Sequence, residues 1–351
     1  MGDEFGVYIH IPFCVRRCDY CAFATWTDRG HLVESYLGAL IRDIERAELP
    51  PATSVFVGGG TPTSVPASAL GRVLDAVRRA PGAEITVECN PDDVTVDLLR
   101  TYADHGVNRV SVGVQSMDDA VLGLLGRSHV PANVERAVAA VDAAGIPTFN
   151  VDLIYGAVGE SLASWEQTVR AAIALDVPHV SAYGLTVEPG TPLAGAPQRH
   201  PDDDDLADKY EVADELFATA GLLNYEVSNW ARPGHECRHN RLYWSQGDYR
   251  GFGCAAHSHS AGRRWWNVRT PERYIALVGR DEPTEAAGEE LDVETRRIEG
   301  LQLALRTRDG VPADALELED LTGLIEPATG KRVRLTRAGR LLANEVSMRL
   351  R

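Results

Sequence analysis

Short runs of apolar residues alternate with longer segments of helical periodicity over the first two thirds of the chain. The apolar runs are typical of buried strands and predict six of them, at 7–11, 54–57, 84–88, 109–114, 148–154 and 179–185. The segments between them repeat apolar residues every three or four positions and predict helices at 32–47, 67–79, 94–104, 118–125, 132–144, 162–174 and 202–220. Strands and helices that alternate in this way form right-handed βαβ units around a parallel sheet. Six such units favour an α/β fold with a full or partial β/α barrel.

The pattern changes after residue 222. The stretch from 223 to 285 is rich in turns and aromatic residues and predicts irregular structure, whereas the remainder, from about 286, is charged and helical. We therefore divide the chain into a barrel core at 1–222, an irregular connecting region at 223–285 and a small, mainly helical, winged-helix-like domain at 286–351.

Composition narrows the classes of partner. The 351 residues carry a net charge of −16, which disfavours a general phosphate-binding surface for nucleic acid or anionic lipid. No apolar run approaches the roughly 18 residues of a membrane span, and the acidic N-terminus is unlike a signal peptide. Three dispersed cysteines, Cys89, Cys237 and Cys254, fit a reducing compartment, so we expect a cytoplasmic protein. From the net charge we expect that it binds no nucleic acid.

Cys14, Cys18 and Cys21 follow the first predicted strand with the spacing C-x3-C-x2-C. Three thiolates can hold three irons of a cluster that usually has about four cysteine ligands, and one iron then stays open to a substrate or cofactor. A disulfide would leave one thiol unpaired, a zinc site would need a ligand such as His31, and a purely structural role also stays open. The spacing favours the open iron–sulfur cluster.

Polar residues follow the other predicted strands where barrel enzymes carry their chemistry, at the carboxyl ends. The run GGGTPT follows the second strand, and Glu88, Gln115, Asp152 and Glu188 end or follow the next four. Each alone is equally typical of a tight turn or of a helix cap. Together they predict one common site beside the cysteine loop.

The ordered motifs YIHIPFCVRRCDYC, GGGTPT, ECNP and GVQS and the LGRSH segment resemble the radical S-adenosylmethionine (SAM) superfamily. More narrowly, the whole chain from Tyr8 onward resembles the oxygen-independent coproporphyrinogen III oxidase family and its HemW-type heme chaperone branch. The resemblance implies a partial radical SAM barrel in which Cys14, Cys18 and Cys21 bind a [4Fe-4S] cluster and SAM chelates the open iron. The residues that it implies for SAM binding are Tyr8, Gly59, Gly60, Thr61, Glu88, Gln115, Arg127 and Asp152.

Two departures separate the chain from the oxidase branch. Phe23 stands where the oxidases have a fourth cysteine, and only 13 residues precede Cys14, whereas the oxidases have a longer N-terminal extension. Both departures match the heme chaperone branch.

The run HNRLYW, residues 239–244, matches the motif that is associated with heme binding in that branch. The resemblance implies a heme site of His239, Asn240, Tyr243 and Trp244, since imidazole ligates heme iron and flat aromatic rings suit a porphyrin. A structural role for His239 stays open. So does a zinc site drawn from His235, Cys237, His239, His257 and His259.

The resemblance favours a heme chaperone that delivers heme to an apo-hemoprotein. The alternative is the oxidase itself, in which a 5′-deoxyadenosyl radical attacks propionate side chains, and a third hypothesis is a radical enzyme with an unrelated substrate. The identity of an electron donor and the formation of a homodimer stay open.

Overall fold

The computed structural model describes residues 4–351, so the first three residues of the predicted core lie outside the described residues. The predicted strands form β1 (Phe5–Ile11), β2 (Ala52–Gly59), β3 (Arg79–Cys89), β4 (Arg109–Gln115), β5 (Thr148–Tyr155) and β6 (His179–Gly184). They pair in parallel in this order. The connecting helices are α1 (Val33–Arg46), α2 (Ala67–Ala76), α3 (Val96–Asp104), α4 (Asp119–Leu124), α5 (Pro131–Ala144), α6 (Leu162–Ala174) and α7 (Asp203–Thr219).

The strands bury both faces, but the two faces differ in chemistry. The outward side chains of β1, such as Val7, Ile9 and Ile11, join one large apolar core that continues through the strands and the helices around them. Alternate positions point to the inside of the curved sheet, where polar residues such as Ser54, Ser111 and Asn150 are buried. The fold therefore encloses a polar interior within an apolar shell.

The stretch 223–285 differs from the predicted irregular structure. It contains β7 (Leu223–Glu226), β8 (Asn229–Ala231), α8 (Arg238–Trp244), β9 (Asp248–Phe252), β10 (His257–Ser260), β11 (Arg263–Asn267) and α9 (Pro271–Gly279), and β12 (Glu285–Glu290) follows. These strands are three to six residues long and mix charged with aromatic residues, so their sequence carries no strong alternation. These strands therefore form because they pair with neighbouring strands, not because their own sequence has strand periodicity.

These strands extend the sheet at both edges. The order is β12-β11-β10-β9-β1-β2-β3-β4-β5-β6-β8-β7, and in residues 4–351 the outer strands β12 and β7 do not pair with each other. This confirms the predicted partial barrel. A second difference concerns α2, which ends at Ala76 rather than 79 because Arg79 already begins β3 and pairs with Ala52.

The C-terminal region contains α10 (Val293–Leu305), β13 (Val311–Pro312), β14 (Ile325–Pro327), β15 (Arg332–Leu335), α11 (Arg337–Leu341) and α12 (Ala343–Ser347). It has its own three-stranded sheet and its own small apolar cluster. Asp214 of α7 connects it to the barrel through ion pairs with Arg337 (2.6 Å) and Arg340 (2.8 Å). This agrees with a helical C-terminal region, but β12 belongs to the main sheet, so the three-part division of the chain stays a prediction. No helix within residues 4–351 is long and apolar enough to cross a membrane.

Candidate functional site

The cysteine loop begins directly after β1 and closes back on itself. The backbone N–H of Cys14 donates to the Trp26 carbonyl (3.1 Å), and that of Trp26 donates to the Pro12 carbonyl (2.8 Å). Between these anchors Cys14, Cys18 and Cys21 are half-buried free thiols, whereas Cys89, Cys237 and Cys254 are buried elsewhere. The fold thus presents three accessible thiols at the carboxyl end of its first strand.

The thiols fit a multinuclear cluster better than a single ion. No three His, Cys, Asp or Glu side chains of residues 4–351 converge on one ion position, as a mononuclear zinc site would require. Burial raises the pKa of the Cys14 thiol, and the neighbouring Cys21 and Cys18 raise it further. Three thiolates this close repel each other, so a cationic cluster with a separate iron for each sulfur suits them.

Two hydrogen-bond donors point at the sulfur atoms. Thr61 Oγ1 lies 3.5 Å from Cys14 Sγ, and Arg127 Nη1 lies 3.7 Å from Cys18 Sγ. Arg127 forms no ion pair among residues 4–351, and its Nη2 donates to the Gly113 carbonyl (3.0 Å). Donors of this kind stabilise thiolate ligands of an iron–sulfur cluster.

The glycines after β2 let the backbone approach its neighbours closely. A Cβ on Gly60 would lie 2.6 Å from the Phe13 carbonyl oxygen, and one on Gly58 would lie 2.8 Å from the Glu88 carboxyl group. Gly59 has φ +110°, and its Cβ would lie 2.4 Å from the His10 ring. The run is therefore required by packing as well as by any ligand, and it brings Gly59, Gly60 and Thr61 beside the cysteine loop.

Tyr8 and His10 connect the barrel interior to this loop. The Tyr8 hydroxyl lies 3.1 Å from His10 Nδ1, and His10 Nε2 lies 2.9 Å from the Ala24 carbonyl oxygen. Because a carbonyl only accepts, Nε2 carries the proton and Nδ1 accepts from Tyr8. Burial lowers the pKa of His10 to about 4, so this ring is neutral at pH 7.

Glu88 lies at the carboxyl end of β3, and Asp152 lies inside β5, three residues before its end. Burial raises the pKa of Glu88 to about 8, and the nearby Asp152 charge adds to the effect, against the hydrogen bond that Glu88 accepts from the Gly59 N–H (3.2 Å). Burial also raises the pKa of Asp152, although Ser111 Oγ (2.6 Å) and Asn150 Nδ2 (3.0 Å) donate to its carboxylate. Two desolvated carboxyl groups beside each other favour a ligand with cationic or hydroxyl groups.

Gln115 ends β4 in a conformation that glutamine rarely adopts. Its φ is +65°, and the pairing of β4 with β5 shifts register between Gly113 and Gln115. The bulge aims a buried amide toward the region of Arg127, since a Cβ on Gly113 would lie 3.0 Å from Gln115 Nε2 and 3.8 Å from Arg127 Nη2. Strained residues of this kind gather at binding sites.

The HNRLYW run forms α8, which lies at the opposite end of the barrel. Glu84 lies in the middle of β3, opposite Ser54 of β2. Its carboxylate accepts from the backbone N–H groups of Arg238 (2.8 Å) and His239 (3.2 Å) at the first turn of α8. His239 is buried and stacks on Phe56 of β2, with 5.5 Å between the ring centroids. This helix therefore closes the amino-terminal end of the parallel strands.

Both ring nitrogens of His239 have partners inside the protein. Nδ1 lies 2.9 Å from Ser54 Oγ and Nε2 lies 2.8 Å from the Tyr243 hydroxyl, and burial lowers the pKa of His239 to about 3. Asn240 donates to the Tyr225 hydroxyl (3.3 Å) and to Glu226 (3.1 Å). Binding heme iron through His239 would require one of its hydrogen bonds to open, so the structure brings His239 and Tyr243 together but not in an open ligand site.

Comparison with known proteins agrees with this geometry. Residues 8–172 match the model of the radical SAM superfamily. The heme chaperone HemW of Mycobacterium tuberculosis is 40% identical over 98% of this chain and 94% of its own length. The HemW proteins of Escherichia coli (41%, 72% of this chain and 69% of theirs) and Bacillus subtilis (34%, 97% of each) are also similar. This chain belongs to the HemW family.

The fold comparison agrees with this HemW-family assignment. Coproporphyrinogen III oxidase HemN from Escherichia coli has a TM-score of 0.84 at 23% identity, over 99% of this chain and 89% of its own. At that identity the likeness shows the fold alone. The curved sheet and the C-terminal helical region of this HemW-family chain are thus shared with a radical SAM enzyme.

The HemW-family chain also has inward-facing residues that sequence reasoning missed. His10 links Tyr8 to the cysteine loop, and Ser111 and Asn150 hold Asp152. Each lies an even number of positions from a predicted site residue on the same strand, so the two-residue period of the strands could have identified them.

Proposed function

We propose that this protein is a heme chaperone whose radical SAM barrel holds a [4Fe-4S] cluster and SAM. The observation that carries the proposal is the set of three half-buried free thiols beside desolvated carboxyl groups at one sheet edge, with Phe23, 65% exposed, where the oxidase branch has a further cysteine. This combination supports a cofactor-binding scaffold in the form that is typical of the chaperone branch.

Different residues at this edge would bind the cluster and SAM. Cys14, Cys18 and Cys21 would ligate the cluster, with Thr61 and Arg127 donating to two of the sulfurs. A bound cluster supplies one-electron chemistry and an open iron. Gly59 and Gly60 would admit the amino-acid end of SAM, and Tyr8, Glu88, Gln115 and Asp152 would contact the rest of it, carboxylates with hydroxyl or ammonium groups.

Heme is the proposed cargo, and an apo-hemoprotein is its proposed recipient. The HNRLYW helix, with His239, Asn240, Tyr243 and Trp244, is the proposed heme-binding element, as the names of the relatives suggest. A cytoplasmic location stays a prediction of the same proposal, whereas an electron donor and a homodimer stay open.

Radical decarboxylation of coproporphyrinogen is the second candidate. The observation that favours it is that the candidate SAM site draws residues from five successive strands or from the segments that follow them, from Tyr8 in β1 to Asp152 in β5. A chaperone that only held heme would not need every one of these contacts.

One reconstituted sample separates the two functions. We expect titration with hemin to give a saturable Soret band, and incubation with SAM, dithionite and coproporphyrinogen to give no protoporphyrinogen. Formation of protoporphyrinogen would overturn the chaperone proposal. The absence of any saturable hemin binding would also overturn it.

The role of His239 needs its own test because its ring is hydrogen-bonded. His239→Ala removes the hydrogen-bond partner of Ser54 and of Tyr243 and can therefore lower stability. The free energy of unfolding of this variant is measured together with its hemin spectrum. If His239 is an axial ligand, the Soret maximum and the iron spin state will change at full hemin occupancy. An unchanged spectrum in a folded variant would assign the ligand elsewhere.

A further inference from the structure

A cleft lies beside α8, between the barrel and the C-terminal region. Its volume is about 300 Å³, and its walls come from β7, α8, the end of α10 and β15. The segment 306–309 closes it on one side, because Arg308 N–H donates to the Tyr225 carbonyl (3.0 Å) and Val227 N–H donates to the Arg306 carbonyl (3.1 Å). Clefts between two structural units are frequent ligand sites.

Four arginines line this cleft in a chain whose net charge is −16, namely Arg238, Arg241, Arg308 and Arg332. Arg241 makes no side-chain hydrogen bond or ion pair within residues 4–351. Arg332 donates to two backbone carbonyls, from Nε to Asp309 (2.8 Å) and from Nη2 to Gly310. Among the described residues, Arg308 is the one member of the four with a carboxylate partner, Glu236 at 2.8 Å. Three guanidinium groups are therefore held at the cleft without a neutralising partner.

The three carboxyl groups that line the cleft form no ion pair with Arg241 or Arg332 among residues 4–351. Glu226 is buried and accepts from Ser228 N–H (3.1 Å) and Asn240 Nδ2 (3.1 Å), so it is already satisfied on the barrel side. Glu4 and Asp309 also line the cleft, and both are exposed to solvent. An anion with more than one carboxylate could pair with the arginines without displacing any of these groups.

The aromatic part of the cleft comes from the HNRLYW helix itself. Trp244 lines the wall, and its indole N–H is buried without an acceptor among residues 4–351. The residues of the motif lie on two faces of α8. His239 and Tyr243 point into the barrel. Arg241 and Trp244 face the cleft. The accessible face is the one that a ligand can reach.

We propose that this cleft binds the two propionate carboxylates of heme, with Arg241 and Arg332 as their main partners and Trp244 against the porphyrin edge. The inference rests on the proposed function, since it assumes that heme is the cargo. Arg241 can pair bidentately with one carboxylate, Arg332 can offer its remaining Nη1 to the other, and the Trp244 indole offers a flat apolar face. A cleft of this volume encloses one edge of a porphyrin and leaves the rest open, which suits a ligand that must be handed on.

Metal-free protoporphyrin IX tests the cleft without any contribution from iron ligation. The wild-type chain and the Arg241→Gln/Arg332→Gln double variant are titrated with it, and porphyrin fluorescence gives the dissociation constant. We expect each lost arginine to weaken binding about tenfold. The matched control is Arg170→Gln/Arg297→Gln, which removes the same charge from exposed positions on α6 and α10.

Protoporphyrin dimethyl ester completes the design because it keeps the ring but cannot pair with arginine. We expect it to bind the wild type more weakly than the free acid does, and to bind both double variants alike. Equal affinity of the cleft variant and the control for the free acid would overturn the proposal, as would tight ester binding by the wild type. Hemin titration of the wild type runs in parallel: if hemin binds but the cleft variant binds it equally well, only the cleft assignment fails, whereas no hemin binding overturns the proposed function too.

Discussion

The two ends of the barrel differ in how fully a buried glutamate is hydrogen-bonded. Glu84 and Glu88 lie four residues apart on the inward face of β3. At the amino-terminal end Glu84 accepts from two backbone N–H groups of α8, at 2.8 and 3.2 Å. At the carboxyl end Glu88 accepts from one, that of Gly59 at 3.2 Å, and burial beside Asp152 raises its pKa to about 8. Buried polarity that is fully paired stabilises a fold, while buried polarity left short of partners is available to a ligand.

The surrounding residues follow the same division. Around α8, Arg109 donates to the His235 carbonyl (2.9 Å) and also contacts His179, which lies 2.8 Å from the Asn229 side-chain oxygen. Around the cysteine loop the thiols are free and Gln115 holds a positive φ. At the α8 end, Glu84, Arg109 and His179 are thus hydrogen-bonded within the protein, whereas the cysteine-loop end has free thiols and desolvated carboxyl groups that a ligand can contact.

The largest expected effect comes from the cysteine loop. Cys18→Ser removes one of the three proposed cluster ligands and the sulfur that Arg127 approaches at 3.7 Å. We expect iron content after reconstitution to fall from about four atoms per chain to a small fraction of that, with loss of the charge-transfer absorption. The chain should remain folded because Cys18 is half-buried in a loop.

Cys237→Ser is the matched control at the other end of the barrel. Its thiol is buried and lies 3.5 Å from the Glu84 carboxylate. Serine can donate to the same oxygen, so both iron content and stability should be retained. Loss of iron from this variant as well would mean that the comparison between the two ends is wrong.

The next effect is a gain in stability. In protein prepared without iron, Glu88→Gln should raise the free energy of unfolding by up to about 5 kcal/mol at pH 9 and change it little at pH 4. The folded chain keeps the Glu88 proton up to about pH 8, whereas the unfolded chain releases it near pH 4.5, so this group costs stability as the pH rises between those values. Glutamine cannot ionise and avoids the loss.

Urea unfolding of the wild type and of Glu88→Gln at several pH values checks this prediction. The difference between their unfolding free energies should grow from pH 5 to pH 8 and then level off. A constant difference across this range would show that Glu88 titrates normally and that its end of the barrel is not desolvated.

Glu84→Gln should act in the opposite direction and more weakly. Both N–H groups of α8 donate to the same oxygen, Oε1, so the amide oxygen can keep both hydrogen bonds, but the negative charge at the first turn is lost. We expect a decrease of about 1–2 kcal/mol in the free energy of unfolding. Iron content and SAM binding should be those of the wild type, and a rise in stability would contradict the structural role of this end.

Much of this division could be predicted from the sequence. The alternation of strands and helices predicted the six parallel strands, and their carboxyl ends then grouped the cysteine loop with Gly59, Glu88, Gln115 and Asp152. The strand prediction is confirmed because long, strongly apolar strands are recognisable from local sequence. The grouping of the site residues stays a prediction, which follows from the common edge at which parallel strands end.

The edges of the sheet and the role of α8 could not be predicted in the same way. Strands such as β12, whose residues are all exposed, lack a buried face and form only because neighbours pair with them. The HNRLYW motif specifies residue types, but it does not specify which side chains of the helix face the barrel and which face the cleft. That His239 points to Ser54 and Trp244 points to the cleft depends on where α8 packs, which is a tertiary property.

The smallest effect separates backbone strain from binding at a single residue. Gln115→Gly relieves a positive φ of +65° and should raise the free energy of unfolding by about 0.5–1 kcal/mol, since glycine adopts this conformation without a steric cost. Gln246→Gly is the matched control, because it is the same residue type at φ +52° just after α8, although it also loses a hydrogen bond to the Arg296 carbonyl (3.1 Å). Only the Gln115 variant should bind SAM more weakly, as measured by equilibrium dialysis on reconstituted protein. Wild-type SAM affinity in both variants would make the strain at Gln115 a property of the bulge alone and would remove Gln115 from the cofactor site.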